Sequence, residues 1–143
     1  MTIRVFTSGV FDLLHTGHIR ALKAARTHGD LLIVGVCSDD DAQAYKRQPV
    51  IPLNERIEML ESLACVDQVF CSPLVPDIAF YFSHRISIHI QAEDEYNHSG
   101  WHFYDAAKSL GIMRFIGRQP DTSTSSIIQR ITAVKKQEVY FAR

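Results

Sequence analysis

The chain is poor in the residues that staple a protein or anchor it in a bilayer. Its 143 residues include three cysteines, one tryptophan, five prolines and seven glycines. Cys37, Cys65 and Cys71 form no CxxC pair and are odd in number, which argues against a disulfide framework and suits a reducing compartment. No apolar run reaches the roughly 20 residues of a membrane-spanning helix. No signal-peptide core precedes the strand-like pattern that begins at Ile3. Neither sign of charge dominates: 15 Lys and Arg against 16 Asp and Glu leave a net charge of −1. That balance removes the basic field that long nucleic acid demands. Repeats and low-complexity tracts are also missing. A soluble, cytoplasmic protein is expected, with neither membrane nor nucleic acid as a partner.

What is present is an alternation. Apolar residues make up 46% of the chain and charged residues 22%, ordinary values for one globular domain. Ile3 to Thr7 is β-branched and aromatic, and Thr16 to His28 carries a helical stripe (Ile19, Leu22, Ala25) ended by Gly29. Leu31 to Cys37 is a continuous apolar run, as in a strand buried on both faces. Helices are predicted over Asp39 to Tyr45 and Leu53 to Leu63, the second opened by Pro52. Val66 to Cys71 reads as a strand and Pro76 to His84 as a helix. Ile86, Ile88 and Ile90 alternate with polar residues, so this fourth strand is expected near a sheet edge. Phe103 to Leu110 reads as a helix, Ile112 to Ile116 as a strand, and Ser123 to about Lys136 as a final helix. The sum is α/β: a single Rossmann-like doubly wound domain over 1–143, with a five-stranded parallel sheet and helices on both faces. Residues 1–136 form the core and 137–143 a C-terminal tail.

Ligands of such a sheet bind at the carboxyl ends of its strands. The first of those loops reads Ser8-Gly9-Val10-Phe11-Asp12-Leu13-Leu14-His15-Thr16-Gly17-His18. Gly17 opens a helix without a side chain, so a phosphate has close access to backbone N–H groups. His15 and His18, three apart, share one face of the helix start. Two imidazoles there suit phosphoryl and nucleotidyl transfer, which need positioning and charge stabilisation.

GVFDLLHTGH resembles the HxGH signature of the cytidylyltransferase-like nucleotidyltransferases. These include glycerol-3-phosphate, choline-phosphate and ethanolamine-phosphate cytidylyltransferases and the adenylyl-transferring domain of ADP-heptose synthesis. Arg118-Gln119-Pro120-Asp121-Thr122-Ser123-Thr124-Ser125 resembles the family's RTEGISTS, with Gln119, Pro120 and Asp121 departing from it. Lys46 to Arg56 resembles Kxx-PV-xxxxER, and Leu63 to Val69 resembles RYVDEV. In that last segment Ala64 stands where some cytidylyltransferases carry a nucleotide-contacting arginine and heptose-type adenylyltransferases a small residue. Ala92-Glu93-Asp94 occupies the GDD or HDD position.

The resemblance implies an enzyme that moves CMP from CTP, or AMP from ATP, onto a phosphorylated small alcohol or sugar, releasing pyrophosphate. His15 and His18 would stabilise charge and Lys46, seconded by Arg47, would meet the acceptor phosphate. Val10, Phe11, Gly17, Asp94, Arg118, Ser123, Thr124 and Ser125 would bind the nucleotide, while Arg56 would hold its helix to the site. Mg²⁺ is expected on the phosphates, with Asp12 or Asp39 near enough to orient it but no residue assigned as a ligand. His98 and His102 are a weak metal pair, and Trp101 is expected in a lid or dimer contact. A homodimer is expected. The rival of another class is a nucleotide-binding module without turnover, suggested by Ala64 and Asp121.

Overall fold

The computed structural model describes residues 1–93, 102–118 and 122–141, with side chains as far as 136. Asp94, the His98 of the metal pair, Trp101, the departures Gln119 to Asp121 and the end of the tail lie outside the described residues.

Five parallel strands form the sheet: β1 (Arg4–Gly9), β2 (Leu31–Val36), β3 (Gln68–Cys71), β4 (Ile88–Ala92) and β5 (Met113–Ile116), in the order β3-β2-β1-β4-β5. Its connections are α1 (Thr16–Arg26), α2 (Asp39–Tyr45), α3 (Leu53–Glu61), α4 (Ile78–Ser83) and α5 (Asp105–Ser109), with α6 (Thr124–Phe141) closing the chain. The local signals act as their chemistry requires. Ser38 caps α2 by accepting from Asp41 N, and Asp77 caps α4 by accepting from Phe80 N. The predicted helix at Phe103 is shorter, because His102–Tyr104 winds as a 3₁₀ turn before α5.

Alternate residues of the strands feed two cores. Val5, Leu32, Val34, Val36 and Ile90 pack with Leu22, Ala25 and Leu60 of α1 and α3. Phe6 and Ile33 face the other way, onto Tyr81, Ile86 and Ala107. Two faces covered in this way make the three-layer arrangement that continuous apolar strands demand.

One expectation is corrected. Strand β4 lies one strand in from an edge, between β1 and the edge strand β5, and is covered on both faces rather than wet on one. Its polar positions are inside. His89 is 0% and Gln91 7% exposed, and they are hydrogen-bonded to each other and to Tyr81 and Ser8. Alternation produced by a buried polar network has the same period as alternation produced by a wet face.

The strand order reverses between β1 and β4, and the two strands are in register only at Val5↔Ile88 and Phe6↔His89. Towards their carboxyl ends the strands part, and a crevice opens there.

Candidate active site

The crevice has a volume of about 580 Å³ and is walled by the loop after β1, the end of α2, the tip of β4 and the start of α6. The β1 loop is held under strain. Phe11 and Leu13 have φ of 54° and 50°, a left-handed conformation that costs of order 1–3 kcal/mol for each such residue. Several bonds fix it. The buried Asp12 carboxylate accepts from Val50 N (2.8 Å) and Ile51 N (2.9 Å), Arg56 Nη1 donates to Val10 O (2.7 Å), and Thr124 Oγ1 donates to Asp12 O (2.8 Å). Asp12 is therefore a loop clamp with both oxygens engaged. Asp39 likewise gives Oδ1 to Arg56 Nη2 at 2.6 Å.

His15 caps α1. Its Nδ1 accepts from Gly17 N at 3.1 Å, while its own backbone N donates to His18 Nδ1 at 3.2 Å. The rings stack with centroids 3.8 Å apart, and Phe11 lies 5.4 Å from His18. An imidazole whose Nδ1 accepts must, when neutral, carry its proton on Nε2. Two backbone donors thus lock both rings as Nε2–H tautomers lining one crevice.

Both rings are held neutral. Burial lowers the His15 pKa below its ordinary 6.5, and His18 is pushed down to about 3, by burial first and then by His15 and Lys46, against the pull of Asp12. Gly17 serves this packing: a Cβ there would sit 2.9 Å from His15 Cε1 and 3.1 Å from Thr122 O. Its N–H is spent on His15 and is not the free phosphate donor that the sequence suggests.

Lys46, Arg47, Arg118, Val10, Phe11, Ser123, Thr124 and Ser125 line the same crevice, so the predicted residues converge, Asp94 apart. The hydroxyls at the α6 start already have structural work. Ser123 Oγ accepts from Ser126 N, Thr124 Oγ1 holds the first loop, and Ser125 Oγ accepts from Arg47 Nη1 at 3.4 Å. Backbone N–H groups and the flanking arginines are what this end offers an anion. Ala64 is exposed and outside the crevice wall. Sequence reasoning missed Thr7, Ser8 and Gln91, whose side chains carry no motif.

A family model described as cytidylyltransferase-like matches residues 6–130, a span that includes all of this wall. The chain belongs to the cytidylyltransferase-like family. It is 34% identical over 135 residues to an ethanolamine-phosphate cytidylyltransferase of Arabidopsis thaliana, covering 90% of this chain and 32% of that one. With choline-phosphate cytidylyltransferase A of Rattus norvegicus it shares 35% identity, over 99% of this chain and 39% of the relative. The chain thus spans 32% to 39% of the length of those relatives. A solved structure titled a lipopolysaccharide core biosynthesis protein, from Thermoplasma volcanium, superposes with a TM-score of 0.67 at 28% identity. That match covers 86% of this chain and 100% of the other.

Among the described residues of this family member, no group of three or more His, Cys, Asp or Glu is arranged to hold a metal, and no helix is long and apolar enough to cross a membrane. His102 is paired with Asp105 at 3.0 Å.

The depressed histidines make a stability prediction. His18 and His89 ionise near 3 in the fold, His89 through burial alone, against an ordinary 6.5. Below pH 6.5 the unfolded chain takes up protons that the folded chain refuses, so stability falls as the pH drops from 6.5 towards 3. The slope is up to about 1.4 kcal/mol per pH unit for each histidine. Urea unfolding should lose on the order of 2–4 kcal/mol between pH 6.5 and pH 5, before most carboxylates titrate. A flat profile over that window would mean that both rings ionise normally in the fold.

Proposed function

We propose that the protein transfers CMP from CTP to a phosphorylated small alcohol. An oxygen of the acceptor's phosphate attacks the α-phosphorus in line, the bond to the β-phosphate oxygen breaks, and pyrophosphate leaves. The observation that carries this reading is the pair of neutral imidazoles, each locked by a backbone donor with its Nε2–H available to a phosphoryl oxygen. Charge grows on the equatorial oxygens during transfer, and preorganised donors in a partly dry crevice stabilise it more than they stabilise the ground state. Lys46, close enough to His18 to depress it, supplies the cation that lets two anionic substrates meet. Arg47 and Arg118 flank the start of α6, where the departing phosphates would lie.

With both Asp12 oxygens engaged and Asp39 on Arg56, the described residues offer no ready carboxylate pair to Mg²⁺. The ion would enter on the triphosphate's own oxygens. The same reading includes a cytoplasmic homodimer. Ile131 and Val134, 56% and 54% exposed on α6, are apolar side chains that a contact there would cover.

The test is calorimetry with CTP and with ATP in the presence of Mg²⁺, followed by pyrophosphate release with phosphorylated alcohols. CTP should bind at least about tenfold more tightly, since an unmatched polar group on a base edge costs about 1–3 kcal/mol. ATP as donor is the second reading. Tighter ATP binding would replace the first reading with it. Weak binding of both nucleotides without turnover would reject enzymatic transfer.

A further inference from the structure

We infer that Tyr45 and Phe103 are positioning residues for Lys46: their ring contact pins the end of α2, so that the acceptor's phosphate meets an ammonium already in place. The inference rests on the transferase reading above and names two residues that act on its acceptor through Lys46.

Lys46 lines the crevice with His15 and His18 and is exposed. An exposed lysine side chain samples many rotamers, and losing them on binding a ligand costs affinity. Its backbone is fixed. Tyr45 is the last residue of α2, and Lys46 N donates to the carbonyl of the fully buried Ala42 at 2.9 Å. At Lys46 the chain leaves the helix, with φ of −129° and ψ of −86°. The ammonium there lies 5.6 Å from the centroid of the Tyr45 ring. A cation over an aromatic face is attracted by the ring's quadrupole, so the placement of that ring sets where the charge rests.

The Tyr45 ring is itself held by a distant part of the chain. Phe103, in the 3₁₀ turn before α5, meets it edge to face, with centroids 5.5 Å apart and planes at 76°. Helix α2 follows β2, the 3₁₀ turn lies between β4 and β5, and β2 and β4 are the two neighbours of β1. The ring pair therefore joins the connections on either side of the strand whose loop carries the two histidines. Beyond Lys46, Arg47 Nη1 donates to Ser125 Oγ at the start of α6. Lys46 thus stands between two tertiary anchors. The Arg47 bond is long, at 3.4 Å, and exposed, so the ring pair is the stronger of them. Both rings are half-buried and belong to neither core, so removing one leaves the packing of the sheet intact.

The experiment measures binding of inorganic phosphate, glycerol 3-phosphate and phosphoethanolamine by calorimetry on the full chain, and pyrophosphate release with CTP. Phe103→Leu, which keeps apolar bulk and removes the ring, should raise the acceptor's Kd and KM about three- to tenfold, the scale of one aromatic pair. The KM of CTP and the urea midpoint should hardly move. Phe103→Tyr, which keeps the ring, should restore acceptor binding. The deciding variant is double. Because the rings act through Lys46, Phe103→Leu added to Lys46→Met should weaken acceptor binding no further than Lys46→Met alone. Tyr45→Leu should behave as Phe103→Leu does in both backgrounds, and it takes that variant's place if Phe103→Leu does not fold. Additive losses, an unmoved acceptor affinity in the ring variants, equal losses for acceptor and CTP, or a wild type that binds none of the three phosphates would overturn the inference. Phosphates that bind with the non-additive pattern, yet give no pyrophosphate release, would sink the transferase reading and leave the positioning role standing.

Discussion

Replacing His18 with Ala should lower kcat for pyrophosphate release by about a hundredfold or more, the scale for losing one preorganised donor to a charged transition state. The geometry allows a sharper version, because each nitrogen of this ring has its own task. Nδ1 accepts from His15 N, and Nε2–H is left to the substrate. Asn places an acceptor near the Nδ1 position and has no counterpart of Nε2, whereas Gln reaches the Nε2 position with an N–H. His18→Asn should therefore keep the stability of the wild type and lose the rate, and His18→Gln should recover part of it. His15→Ala should lose rate and also about 1 kcal/mol of stability, since His15 caps α1. Near-normal turnover in His18→Asn would remove the ring from the reaction.

Arg56 carries the largest expected effect on stability. The residue is 1% exposed and its side chain makes four bonds: Nε to Ile51 O at 2.9 Å, Nη1 to Val10 O and Cys37 O at 2.7 and 2.8 Å, and Nη2 to Asp39 at 2.6 Å. One guanidinium thereby ties together the loops after β1 and β2 and the turn before α3. Arg56→Met should cost roughly 3–5 kcal/mol, as expected when a buried charged partner is removed, against a typical total of about 5–15 kcal/mol. Arg56→Lys keeps the charge but has one nitrogen where three are used, so it should recover little. Urea midpoints decide this, and Arg56→Lys within about 1 kcal/mol of wild type would show that the fork is dispensable. Adding Asp39→Asn to Arg56→Met should cost almost nothing more, because the two residues share one interaction.

The parts of this protein legible in its sequence are those where one local rule suffices. The apolar run Leu31 to Cys37 declares a buried strand, and the histidines beside Gly17 declare a helix start facing a ligand. Other features depend on partners far along the chain. Gln91 meets Ser8 across 83 positions, and Thr124 meets Asp12 across 112. Nothing near Ile88 or Ile90 distinguishes a polar residue facing water from one bonded inside, which is why β4 reads as near an edge. Asp12 reads as a candidate to orient Mg²⁺ for the same reason, since its two backbone donors, Val50 and Ile51, lie 38 and 39 residues away. Gly17 offers a phosphate its N–H on paper, but the neighbouring imidazole takes that N–H first.

The reversal of strand order between β1 and β4 also governs how the molecule comes into being. During synthesis β1, β2 and β3 emerge within the first 71 residues and can pair at once, six positions of β1 matching β2. The other edge of β1 stays open until β4 appears at Ile88, and it gains only two register positions when it closes. The nascent half-sheet therefore exposes its central strand, the apolar Val5 and Phe6 included, for as long as about twenty residues remain to be made. Fragments ending before Ile88 would keep that edge permanently, and aggregation rather than a working half-domain is the fate their topology assigns them.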